Sequence, residues 1–174
     1  MQMITVVEGD ITKFEGDIIV NAANRYLKGG YGVDGAINKA AGPKLLEYTL
    51  SLGGCFPGDI RTSPSFDLKN CKTIYHAVGP MYRYYLPYEA EELLRSCYRK
   101  CLEQMLRDGY SSIAFPNIST GAYKFPKRKA GEIAVDEVKK FLKKHKLINI
   151  FVAFYCYDKE NKDIYDELLD VIVR

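Results

Sequence analysis

Tryptophan is absent from these 174 residues, and histidine occurs only twice, as His76 and His145. The five cysteines, Cys55, Cys71, Cys97, Cys101 and Cys156, are scattered, odd in number and without a C-x-x-C pair. A structural zinc site therefore has little to draw on, and no metal site is expected. Such cysteine usage fits the cytoplasm, and Cys97 and Cys101, one helical turn apart, read as small packing residues. Long hydrophobic runs are missing too. None approaches the roughly 18 to 20 apolar residues that a membrane helix needs, and the opening "MQMITVVEGD" lacks the basic start and apolar stretch of a signal peptide. Nor does one sign of charge dominate. A net charge of +3 creates no overall field that demands nucleic acid or an anionic membrane.

What remains is ordinary globular material, 47% hydrophobic and 27% charged, enough for one domain over 1–174 with a substantial core. Strand-like and helix-like segments alternate without linker or repeat. "MITVVEG" and "DIIVNAA" are β-branched runs bounded by turn residues, hence strands, with a turn-rich "DITKFEG" between them. "VDGAINKAAGPKLLEYTLSLGG" is helical, broken near Gly42-Pro43. "DIRTSPSF" and "TIYHAVG" are strand candidates. Residues 88–109 form the clearest helix, its apolar pairs repeating every four residues. "SIAFPNI" is a short strand, Pro126 opens a further helix, "INIFVAFYCY" is a buried strand, and 160–173 closes the chain as an amphipathic helix. The order β, β, α, β, β, α, β, α, β, α indicates an α/β domain, a mixed sheet with helices on both faces. In such sheets ligands bind outside the strand ends, where loops meet helix N-termini.

The unusual residues fall on those loops. Asp10, after the first strand, could cap a turn or accept a hydrogen bond from a ligand amino group. "NAAN" ends the second strand; Asn21 reads as a tie for loop backbone groups, whereas Asn24 could do the same or face a cleft. Gly29, Gly30 and Gly32 permit positive φ and close backbone approach. The helix that follows offers free N–H groups to an anion, with Asp34 at its start. The spacing is neither GxGxxG nor a P-loop. Ser119, Thr120 and Gly121 present backbone donors in a row, suited to a diphosphate, and Tyr123 an aromatic face. Three such loops together point to a phosphorylated sugar or nucleotide.

"GDIT", "DIIVNAAN", "GGYGVDGAINKAAGP", "HAVGP" and "FPNISTGAYKFP", in this order, resemble the successive signatures of macrodomains, in particular the MacroD-type ADP-ribosyl hydrolases and O-acetyl-ADP-ribose deacetylases. The similarity covers almost the whole chain. It implies a three-layer α/β/α fold around a mixed, mainly parallel six-stranded sheet. It implies that Asp10 holds the adenine amino group with Ile11 beside the ring, and that Tyr157 covers the adenine. Asn24 would contact the distal ribose and Asp34 would serve catalysis. Gly30, Tyr31, Gly32 and Val33 would line the ligand, and the loop of Ser119, Thr120, Gly121, Ala122 and Tyr123 would wrap the diphosphate.

The partners so implied are ADP-ribose, its esters and mono-ADP-ribosylated proteins, handled by a monomer without metal or cofactor. Two positions depart from the family pattern: Tyr31 stands where a further glycine is common, and Asn38 where a histidine is. Tyr31 could narrow the distal-ribose pocket. Asn38, four residues after Asp34, can donate a hydrogen bond to it but cannot carry a proton. These departures favour a reader that binds without turnover; the retained pair Asn24 and Asp34 favours a hydrolase. Lys139, Lys140, Lys143 and Lys144 could suggest RNA, but near a helix C-terminus they read as a solvated face. His76, in an apolar strand, reads as a core histidine.

Overall fold

A computed structural model describes residues 1–173, with side chains through residue 170. The side chains at the expected apolar positions 171–173 of the closing helix, and residue 174 of the expected single domain, lie outside what is described. The strands are β1 (Gln2–Glu8), β2 (Ile18–Ala22), β3 (Ile60–Pro64), β4 (Thr73–Ala77), β5 (Ser112–Phe115) and β6 (Ile150–Cys156). The helices are α1 (Gly32–Ala41), α2 (Pro43–Leu50), α3 (Pro87–Arg107), α4 (Lys127–Lys144) and α5 (Lys159–Val173). The expected break at Gly42-Pro43 separates α1 from α2. Gly42 takes φ +86°, which favours glycine, and Pro43 supplies the fixed φ suited to a first helical turn.

The sheet has the order β1-β6-β5-β2-β4-β3. All neighbours run parallel except β3, which pairs antiparallel with β4 at the edge. Pro64, which has no N–H to give a ladder, ends that edge strand. The central strands are continuously apolar instead of alternating because helices cover both faces. Ile18 and Val20 of β2 face one core with Leu94, Cys97, Tyr98 and Cys101 of α3, Val138 of α4 and Tyr165 of α5. Ile19, between them, faces the other core with Ile37 and Ala41 of α1 and Leu45 of α2. The layers are thus α1–α2, sheet, and α3–α4–α5.

The chain leaves β2 toward α1 on one face and β5 toward α4 on the other, although β2 and β5 are neighbours. Their connections diverge, and a crevice opens above their C-terminal ends, where open parallel sheets accept ligands.

Candidate active site

Five parallel strands send their C-terminal ends to one edge of the sheet, and every candidate residue lies there. Asp10 follows β1; its Oδ1 accepts from Thr12 N–H at 2.9 Å and from Thr12 Oγ1 at 2.7 Å. The carboxylate caps the short 3-10 turn Ile11–Lys13 and keeps Oδ2 free, so capping and ligand contact are compatible. Ile11 is buried in the α1–α2 core. Tyr157 stands exposed at the exit of β6, whose last residue, Cys156, accepts Gly9 N–H at 3.1 Å. Tyr155, two residues earlier, escapes sequence inspection because it sits within an apolar run. It packs edge-on against Phe14, and burial, with the charges of Asp10 and Glu15, pushes its phenol pKa up.

The glycine stretch and α1 bring Asp34 into the crevice at the third residue of the helix, within the first turn, whose N–H groups lack intrahelical acceptors. Its side chain is 6% exposed. Oδ1 accepts from Asn21 Nδ2 at 2.9 Å and Asn38 Nδ2 at 2.8 Å. Oδ2 has no protein partner among the described residues and faces Gly30: a Cβ on that glycine would stand 3.6 Å from Oδ2 and 3.9 Å from Asn24 Nδ2. Burial raises the Asp34 pKa, and the two amide donors oppose the rise. Tyr123, from the loop after β5, completes this wall, its own pKa raised by burial and by the Asp34 charge.

Of the two asparagines, Asn21 differs from its expected part, and Asn24 takes one of the two open to it. Asn21 does not tie loop backbone; it holds Asp34. Its amide also donates to Nδ1 of His76 at 3.1 Å, while His76 Nε2 lies 2.8 Å from Ser63 Oγ. Because a carboxylate demands donors, the Asn21 nitrogen must face Asp34, so Nδ1 accepts and the imidazole proton sits on Nε2. Ser63 in turn donates to Pro64 O at 3.1 Å. His76 is the satisfied core histidine expected, with burial lowering its pKa to about 4. This chain of contacts from β3 through β4 and β2 to α1 is invisible in sequence, because it depends on β2 and β4 lying in register, Asn21 opposite His76. Orienting nitrogen toward Asp34 leaves Oδ1 of both Asn21 and Asn38 buried without partners.

Loop tying falls to Asn24. Its Nδ2 donates to Gly29 O at 2.8 Å, and its Oδ1 accepts from Tyr26 N–H at 3.1 Å and Lys28 N–H at 3.3 Å. One amide hydrogen remains for a ligand. Gly35 is a further residue that the motif hides: a Cβ there would lie 2.8 Å from Gly30 O, so only glycine lets the loop close onto α1. Tyr31 is 99% exposed, its side chain packed against no neighbour among the described residues. Gly32 takes φ +60°, and Val33 packs on the α1–α2 core.

After β5 the chain turns through Ser119 at φ +66°. Thr120 N–H is engaged with Asn117 O at 3.4 Å, so the expected row of donors is interrupted there. The N–H groups of Ser119, Gly121, Ala122 and Tyr123 have no acceptor among the described residues, a set of donors on one loop of the kind a diphosphate can use. Gly79, in "HAVGP", makes room for this loop: a Cβ on it would fall 2.1 Å from Ser119 Oγ.

Along one edge there is thus a carboxylate with flanking tyrosines, a cradle of free N–H groups, and a buried carboxylate with one open oxygen. The Macro domain family matches residues 20–134. An O-acetyl-ADP-ribose deacetylase of Enterobacter sp. (strain 638) is 48% identical over 170 residues, covering 95% of this chain and 93% of the relative. Among solved structures, a glycine-to-valine variant of the Oceanobacillus iheyensis macrodomain with ADP-ribose superposes with a TM-score of 0.91 at 38% identity, covering 97% of this chain and 92% of that one. The Trypanosoma brucei macrodomain in complex with ADP-ribose reaches 0.88 at 36% identity, covering 95% and 68%.

Proposed function

The chain belongs to the Macro domain family, and from that premise we propose that it hydrolyses ADP-ribosyl esters, O-acetyl-ADP-ribose first among them. The names of its relatives and the ligand of its structural neighbours support this reading. ADP-ribose would run along the strand ends, adenine between Asp10 and the pair Tyr155 and Tyr157 at the end of β6, diphosphate over the free N–H groups of Ser119, Gly121, Ala122 and Tyr123, distal ribose against Asn24 and Asp34.

The observation that carries the proposal is the one-sided holding of Asp34. Two amides grip Oδ1 and leave Oδ2 open beside Gly30. A carboxylate fixed in this way can orient a water and, with its basicity raised by burial, accept a proton from it. The water oxygen then bonds to the acyl carbon, the bond from that carbon to the ribose oxygen breaks, and the proton passes to the departing oxygen. Acetate and ADP-ribose result. Asn24 contributes orientation, not proton transfer, and the substrate's own phosphate is the alternative base. The same geometry would serve an ester between ADP-ribose and a protein Asp or Glu, with water directed at the ester carbon or the anomeric carbon.

Turnover of O-acetyl-ADP-ribose by wild type and Asp34→Ala tests this. The variant should lose about 100-fold or more in kcat, the usual range for a positioned base, with ADP-ribose affinity nearly kept. Equal, slow turnover with tight binding in both proteins would make this a reader.

A further inference from the structure

Four loops surround the distal-ribose end of the crevice: 24–33, 51–59, 78–88 and 117–125. Their one carboxylate, Asp59, is paired with Arg61 and Lys100, and they carry Arg25, Lys28, Arg83 and Lys124. Backbone hydrogen bonds stitch them into one rim, from Cys55 N–H to Arg25 O at 2.8 Å, Gly58 N–H to Val78 O at 2.7 Å, and Tyr82 N–H to Tyr123 O at 3.0 Å. Among the described residues none of the four cations pairs with a carboxylate. Three instead rest on exposed tyrosines. Arg25 and Lys28 lie over Tyr26 at 5.5 Å each, and Arg83 lies over Tyr84 at 5.1 Å. Tyr26 is 61% and Tyr84 65% exposed. Away from the rim, Arg95, Arg128, Lys127, Lys140, Lys159 and Lys162 are held by acidic partners.

The location selects the partner. With adenine at the β1–β6 end and diphosphate at β5, the acyl group on the distal ribose points on toward β2 and β4, onto this rim. We infer that the rim receives an acidic polypeptide segment that carries the ADP-ribosyl ester on one of its own carboxylates, the neighbouring Asp and Glu side chains meeting Arg25, Lys28 and Arg83. This rests on the hydrolase reading. Cations held on tyrosine faces lose little on pairing, since ring and carboxylate can contact the same guanidinium. An acidic segment offers several acceptor carboxylates to modification, and its negative charge complements a rim whose charged side chains without an ion-pair partner among the described residues are all cations. Surface pairing of this kind is screened by salt.

Two synthetic peptides bearing the same ADP-ribosyl-glutamate, one flanked by Asp and Glu and one by Ser and Lys, test the inference against O-acetyl-ADP-ribose. Wild type should cleave the acidic peptide with roughly 10-fold higher kcat/KM than the other at low ionic strength, the order expected of a few exposed charge contacts. That ratio should collapse in 0.5 M salt (about a 4 Å screening length) and in the triple variant Arg25→Gln, Lys28→Gln, Arg83→Gln, whose rate on O-acetyl-ADP-ribose stays near wild type. Equal rates on the two peptides, or a ratio untouched by the variant, would overturn the rim assignment while leaving the hydrolase intact. Should no substrate turn over although ADP-ribose binds, the hydrolase reading fails, and the relative affinity of the two peptides still decides the rim. A single-stranded oligonucleotide that displaces the acidic peptide at equal charge concentration would overturn the choice of a polypeptide.

Discussion

Acid should unfold this protein through His76. The imidazole is 2% exposed and takes a proton only near pH 4, against an ordinary 6.5. Below 6.5 the unfolded chain binds that proton and the folded chain does not, so stability falls with pH and the loss levels off once the folded state also charges, below about 4. A separation of roughly 2.5 pH units, at about 1.36 kcal/mol each, is worth about 3 kcal/mol by pH 4. Asp34 opposes the trend. Its raised pKa disfavours the ionised folded form, so its contribution to stability is recovered on acidification and lost as pH rises through its folded pKa. Denaturant unfolding from pH 7.5 to 4 therefore needs a partner that removes one group alone. His76→Asn keeps an acceptor for the Asn21 amide but cannot titrate. Its stability should be lower at pH 7.5, as for any buried truncation, yet about 3 kcal/mol of the wild-type acid loss should be missing from its profile. Parallel profiles for the two proteins would refute the depressed imidazole.

The acid limb of kcat on O-acetyl-ADP-ribose should lie above the ordinary carboxylate range, because Asp34 must be ionised, and move higher still in Asn38→Ala, which removes a donor that lowers its pKa; an unmoved limb would dissociate Asn38 from the base. Asn38→His should hold or raise the rate with ADP-ribose affinity unaltered, as read by steady-state kinetics and calorimetry. Asp10→Ala should cost about 1.5–3 kcal/mol of ADP-ribose affinity if a charged hydrogen bond is lost, while guanosine diphosphate ribose, lacking the amino donor there, should bind weakly to wild type. Gly79→Ala should destabilise the fold by about 1–3 kcal/mol and weaken ADP-ribose binding together, since its Cβ would fall 2.1 Å from Ser119 Oγ and shift the diphosphate loop; wild-type values for both would refute the crowding.

The α/β order, the break at Gly42-Pro43 and the loops that carry the site were all legible in the sequence, because β-branched runs, turn residues and helical periodicity are local signals. What the sequence could not show was pairing across the sheet. Asn21 looked like a loop tie, and Asn24 like a tie or a cleft residue; Asn21 departs from its part because β2 sets it against His76, one strand away. Gly35 and Gly79 look like any glycine in a helix start or a strand exit, and only the packed loops reveal why a Cβ fails there. Thr120 loses its place as a free donor to a turn that bends back on Asn117. Tyr155 was hidden by a buried run in which every residue looked like core.

The parallel sheet also gives the molecule a blank end. Opposite the crevice, the stretches that lead directly into β2, β4, β5 and β6 (15–17, 69–72, 109–111 and 145–149) hold none of the candidate residues, and the turn before β6 exposes Leu147 almost fully (95%). A cysteine-reactive tether, an affinity tag or a fused reporter introduced at 146–148 would anchor the protein by that end. Immobilised so, each molecule would present its crevice and basic rim outward, and a surface-based binding assay could read ADP-ribosyl ligands large enough to be blocked by a randomly attached protein.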